Sequence, residues 1–139
     1  MRAQSNRALA LAIALAATIW SAPLLARDDD KHGGDRLAKL LGDRVAGKPV
    51  DCVSFRQLGS STIIDGTAIA YAAGGTIFVN HPQSGADALE DDYDTILVTT
   101  STLSQLCKLD SVRLVSRTTG MYKGFVTLDA FVPYRHPHR

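Results

Sequence analysis

Between Ala68 and Asn80 the chain reads Ala-Ile-Ala-Tyr-Ala-Ala-Gly-Gly-Thr-Ile-Phe-Val-Asn, two apolar runs joined by Gly74-Gly75. Adjacent glycines between strand-forming runs are the composition of a two-residue hairpin turn, whose central positions take positive φ. That turn sets the register: Ala73 faces Thr76, Ala72 faces Ile77, Tyr71 faces Phe78 and Ala70 faces Val79. Side chains alternate along a strand. One face therefore carries Ala68, Ala70, Ala72, Ile77 and Val79, and the other Ile69, Tyr71 and Phe78. Both faces are apolar, whereas a hairpin open to water would be polar on one side. The sheet is expected to be covered twice, by a helix and by its own curling into a barrel or sandwich.

A second turn signal, Asp65-Gly66, extends the hairpin into a three-stranded meander over Val53 to Asn80. The helix is expected to start at Asp35, a residue type that caps helix N-termini, and to present Leu37, Leu40, Leu41 and Val45 as one stripe. Gly42 would sit inside it at a cost of about 1 kcal/mol against alanine, and Gly47 and Pro49 would stop it. Farther on, His81 to Asp94 is a turn-rich acidic loop and Thr95 to Thr100 a strand. Leu103 to Leu109 reads as a short turn or helical piece and Ser111 to Ser116 as a strand. Gly124 to Val132 alternates as a last strand, which Pro133 ends. The expected class is mainly β (α+β): a small antiparallel sheet or partly open barrel of about six strands with one N-terminal helix. A five-stranded barrel of the oligosaccharide-binding type is one specific candidate.

The first 26 residues have the three parts of an export signal: Arg2 and Arg7, an apolar run from Ala8 to Trp20, and a small-residue exit from Ser21 to Ala26. The run falls short of the roughly 20 apolar residues that cross a bilayer, and charges at Arg27 to Lys31 close it off. Cleavage after Ala26 would leave a charged, glycine-ended leader at 27–34 expected to be disordered, one small domain at 35–134 and a flexible tail at 135–139. The expected location is the periplasm or the medium, with no integral membrane segment after cleavage.

Without Arg2 and Arg7, 13 basic residues stand against 14 acidic ones, a formal charge of −1. No basic stripe is present, which argues against a nucleic-acid partner. Cys52 and Cys107 are the only cysteines. In an exported chain an even count without Cys-x-x-Cys spacing reads as one structural disulfide rather than a redox or zinc site. The chain-entropy account assigns such a loop of about 55 residues roughly 4 kcal/mol as an upper value.

Four features bear on chemistry. Asp87, Glu90, Asp91, Asp92 and Asp94 offer oxygens that would suit calcium, but without EF-hand spacing a solvated loop is the favoured reading. His32, His81, His136 and His138 form no closed ligand set. Serines are plentiful, yet none lies in Gly-x-Ser-x-Gly or Ser-x-x-Lys, and Gly33-Gly34 and Gly74-Gly75 match no dinucleotide or phosphate loop. Tyr71, Phe78, Tyr122, Phe125, Phe131 and Tyr134 fit a core better than a ligand surface. No catalytic residue, metal site or cofactor is therefore assigned.

The stretch Cys52-Val-Ser-Phe-Arg56 through Ile63-Ile64-Asp65, with Asn80, Leu106-Cys107-Lys-Leu-Asp110 and the glycine-led final strand ending Phe131-Val-Pro133, resembles a family of small exported bacterial proteins catalogued only as a domain of unknown function. The resemblance spans roughly Val50 to Tyr134. Members often carry a second cysteine pair, which this chain lacks. It implies the compartment and a single domain, and brings no catalytic residues. The leading expectation is a non-enzymatic structural or ligand-binding β module, its partner unidentified: an envelope protein or a small ligand. The alternative is a small metal-dependent or hydrolase-like enzyme, which requires His81 to converge with Asp91, Asp92 or Asp94. A pocket beside Asn80 and Asp110 would also bear on the choice.

Overall fold

The computed structural model describes residues 28–91, 93–99 and 103–137. The expected export signal at 1–26, Asp92 and His138 lie outside the described residues. Helix α1 covers Asp28–Leu41 and is followed by β1 Val45–Ala46, β2 Cys52–Ser54, β3 Ser61–Ile64, β4 Ala68–Ala73 and β5 Thr76–Asn80. A single 3₁₀ turn at Ala86–Ala88 leads to β6 Thr95–Thr99, β7 Gln105–Cys107, β8 Ser111–Ser116, β9 Tyr122–Thr127 and β10 Phe131–Arg135. The protein is mainly β. The strands form three antiparallel sheets, ordered β1-β10-β5-β4-β3, β2-β7 and β6-β8-β9, and no barrel closes among the described residues.

The Gly74-Gly75 hairpin has the register its sequence dictates, with Ala73 opposite Thr76, Tyr71 opposite Phe78 and Ala70 opposite Val79. Both faces are covered. Ala68, Ala70 and Val79 pack with Ile64 beneath Leu37 and Leu41 of α1. Ile69, Tyr71 and Phe78 enter the larger core with Val112, Leu114, Val126, Leu128 and Phe131. The Tyr71 ring lies 6.1 Å from that of Phe131. Its phenol oxygen is buried without a hydrogen-bond partner among the described residues, and burial pushes its pKa well above the ordinary value. Removing an unsatisfied hydroxyl relieves its desolvation cost, so Tyr71→Phe is expected to raise stability by about 1 kcal/mol in denaturant titrations.

Several elements depart from the sequence expectation. The helix begins at Asp28, so residues 28–34, expected as a disordered leader, are helical and Asp35 lies inside the helix rather than at its cap. Tertiary contact overrides the glycine pair: Gly33 is buried, and a Cβ there would overlap the Thr67 hydroxyl and stand 2.9 Å from the Asp65 carbonyl oxygen. Gly34 meets nothing within 4 Å. Gly34→Ala is therefore expected to raise stability by up to about 1 kcal/mol through helix propensity, while Gly33→Ala lowers it despite the same propensity gain. Thermal denaturation of the two variants reads the opposite signs.

Gly42, expected inside the helix, ends it: with φ of +60° it supplies the left-handed residue after Leu41, and its N–H donates to the Ala38 carbonyl at 2.9 Å. Val45 belongs to β1, and its side chain is exposed. The meander is β3-β4-β5 alone, because β2 leaves it to pair with β7. Residues 105–107 are thus a strand, not a turn or helical piece. The single last strand is two, β9 and β10, separated by Leu128 to Ala130, and Pro133 lies within β10. Proline is tolerated there because bonds between Phe131 and Val50, and from Gly47 N–H to the Pro133 carbonyl, turn residues 131, 133 and 135 toward β1. The missing N–H then leaves the β5 ladder intact. The strand also takes Arg135 out of the expected tail, and His136 Nδ1 lies 2.9 Å from Asp43 Oδ1.

Candidate functional site

Cys52 and Cys107 face each other across the β2-β7 ribbon, bonded at an S–S distance of 2.09 Å with Cα atoms 4.0 Å apart. The register explains why this pair can bond. Lys108 N–H donates to the Asp51 carbonyl and Phe55 N–H to the Ser104 carbonyl. Positions 52 and 107 therefore form a non-hydrogen-bonded pair, where cross-strand side chains approach most closely. The bridge joins a separate two-stranded ribbon; it does not tie the meander directly to the last strands. Asp110 completes the ribbon's turn, its Oδ2 accepting from Cys107 N–H at 2.8 Å and its carbonyl from Leu128 N–H.

Asn80 is wholly buried at the end of β5. Its Nδ2 donates to the Asp129 carbonyl at 2.5 Å and its Oδ1 accepts from Asp129 N–H at 3.1 Å. Asn80 therefore satisfies the backbone of the β9-β10 connection, and both marker residues are structural joints. The cleft between β3 and β6 lies elsewhere, lined by neither Asn80 nor Asp110.

Asp129 in turn holds Lys108 at 2.9 Å. The bond from Lys108, with further hydrogen bonds from Ala130 N–H and Gln83, keeps the Asp129 carboxyl below its ordinary pKa, and the same bond raises that of Lys108. A depressed carboxyl stabilises the fold above the unfolded value of about 3.9 and loses that contribution as pH falls through the lower folded value. The raised ammonium acts below about 10.4 and fades above it. Lys108→Met is thus expected to differ from the parent protein between these limits and to converge with it at acid pH, as read by melting temperature against pH.

The acidic loop is anchored rather than loose. Leu89 is buried in the main core, and its carbonyl accepts from Gly66 N–H at 3.0 Å. Ser84 bridges to Thr127, and Gly85 has φ of +78° beneath the Phe125 carbonyl, where a Cβ would overlap backbone. Three of its carboxylates are engaged, each by a different partner. Asp91 is paired with Arg36, which also reaches Asp65 at 3.6 Å, and Glu90 lies 3.4 Å from Lys123. Asp94 accepts from Thr118 N–H at 2.9 Å, and hydrogen bonds led by the Thr118 side chain hold its pKa below the ordinary value. No group of three or more metal-ligating side chains converges among the described residues. His81 Nδ1 donates to the Thr67 carbonyl at 3.2 Å, a contact that selects the Nδ1–H tautomer. The ring thus meets backbone, while Asp91 and Asp94 are held by other partners.

Sequence reasoning missed a cleft of about 490 Å³ between β3 and β6. These are the terminal strands of the five- and three-stranded sheets, so two sheet edges border one space. Ile63 and Leu97 face the core beneath it, and Ser61, Tyr93 and Arg117 stand around it. Tyr93 is fully exposed. The guanidinium of Arg117 makes no ion pair among the described residues, whereas the cleft's Asp91 is neutralised by Arg36. Only the local strand patterns were visible beforehand; nothing in them places residue 63 beside residue 97.

No family model, curated protein or solved structure matches the chain.

Proposed function

We propose that the protein is an exported, disulfide-held β module that binds a ligand rather than transforming one, and that it belongs to the family its cysteine, Ile-Ile-Asp and Leu-Cys-x-x-Asp markers resemble. The observation that carries this reading is how the polar groups are used. Asn80 and Asp110 secure backbone turns, His81 meets a carbonyl, and Asp91 and Asp94 hold the acidic loop in place. Such markers preserve a shape, and the shape includes a cleft. The Cys52–Cys107 bond supports an oxidising compartment.

Intact-mass measurement on protein recovered from cell fractions tests the reading. The expected species starts at Arg27, is found outside the cytoplasm and is lighter than its reduced form by the two hydrogens of one disulfide. Recovery of chains retaining Met1 to Ala26, or of two free thiols in native protein, overturns it.

A further inference from the structure

We propose that the cleft between β3 and β6 receives an extended segment of a partner polypeptide, which inserts as a strand and joins the five- and three-stranded sheets; this rests on the binding role proposed above. The hydrogen-bond parity of the two edges carries the argument. On β3, the Ala72 N–H donates to the Ser60 carbonyl. Residues 60, 62 and 64 therefore direct their backbone groups to β4, leaving those of Ser61 and Ile63 directed outward, because antiparallel pairs alternate. On β6, Arg117 N–H donates to the Asp94 carbonyl, so residues 94, 96 and 98 pair with β8 and the backbone of Leu97 points outward.

Both outward rows border the same cleft. An unpaired edge is a template for another backbone, and native folds usually cover or block it. Among the described residues neither edge has a further strand beside it, and each borders the other across the cleft. A peptide in extended form is the one ligand class that offers N–H and C=O groups alternately to both sides, at the strand repeat of about 3.3 Å. β3 and β6 are four and five residues long, which sets the paired length. Below the cleft, the apolar floor of Ile63 and Leu97 calls for apolar side chains at alternate positions. At its rim, Arg117, which makes no ion pair among the described residues, calls for a carboxylate, and the exposed Tyr93 ring offers a contact face.

The test is selection from a random octapeptide display library on the purified, disulfide-bonded protein, followed by synthesis of the selected peptides and fluorescence anisotropy. The expected peptides carry an acidic residue beside alternating apolar ones. N-methylation of their odd-numbered amides and of their even-numbered amides each weakens binding by about tenfold, since both edges are used. Ser61→Pro, which removes one outward N–H from an exposed edge position, and Arg117→Glu each weaken it similarly. If Ser61→Pro fails to fold, the N-methylated peptides on the parent protein decide alone.

The proposal is overturned if no peptide binds at about 100 μM, or if binding survives N-methylation of either set. A concentration-dependent dimer abolished by Arg117→Glu, without peptide binding, would assign the edges to a second copy and also overturn it. None of these results bears on signal cleavage or the disulfide, so the export reading stands or falls separately.

Discussion

Reduction of the Cys52–Cys107 bond is expected to lower the melting temperature by about 10–20 °C. The bond closes a loop with a sequence separation of 55 residues, for which lost chain entropy in the unfolded state gives roughly 4 kcal/mol as an upper value. Each kcal/mol shifts the midpoint of a domain this size by about 4 °C or more. The location of the bond adds a local effect. β2 and β7 form a ribbon of three residue pairs with no further strand on either side among the described residues. A two-stranded ribbon is marginal by itself. Its anchors are Val53 and Leu106, both buried in the main core. Reduction is therefore expected to expose amides of 52–54 and 105–107 to hydrogen exchange before those of β4 and β5. The double variant Cys52→Ser, Cys107→Ser should reproduce both effects. A reduced protein melting within about 2 °C of the oxidised one would refute the stabilising role.

Asn80→Ala is the second large effect, expected at about 2–3 kcal/mol and a fall of roughly 10 °C or more in melting temperature. Asn80 is the largest wholly buried polar side chain among the described residues, and it supplies both a donor and an acceptor to the main chain of Asp129. Truncation removes two hydrogen bonds and leaves a void beside Phe131, whose Cα is registered opposite residue 80. Asn80→Leu separates these terms, because it refills much of the volume without restoring either bond. It should recover less than half of the loss. A full recovery by leucine would show that Asn80 serves packing and not the β9-β10 connection.

The hairpin around Gly74-Gly75 was legible to the residue, since turn chemistry and a period of two are local properties. The need for two covers was legible too, because the amino acids on both faces were known once the register was set. The helix was legible as an element but not at its ends. Gly33-Gly34 argues locally for a break, and only the close approach to Thr67 and Asp65 makes glycine the suitable residue there. Pro133 misled for a related reason: whether a strand proline costs a hydrogen bond depends on which neighbour its nitrogen faces.

The candidate site divides the same way. The cysteines were identified as a pair by count and compartment, but their partnership across β2-β7 follows from backbone parity. The acidic loop was read as solvated from its composition, and Asp87, Glu90 and Asp91 are exposed; what composition did not reveal is that Leu89 plugs the core and that Arg36, Lys123 and Thr118 each engage one of its carboxylates. These partners come from α1, β9 and the β8-β9 turn, separations that no local pattern encodes.

Local sequence was enough for the secondary structure of the central hairpin, the apolar character of both its faces, and a mainly β class. It sufficed because those properties depend on side-chain type and on neighbours a few residues away. Tertiary structure alone decided the three-sheet division, the ribbon that carries the disulfide and the cleft between β3 and β6. Each of these arises where segments distant in the chain meet, and which edges remain unpaired is set only after every other strand has found its neighbour.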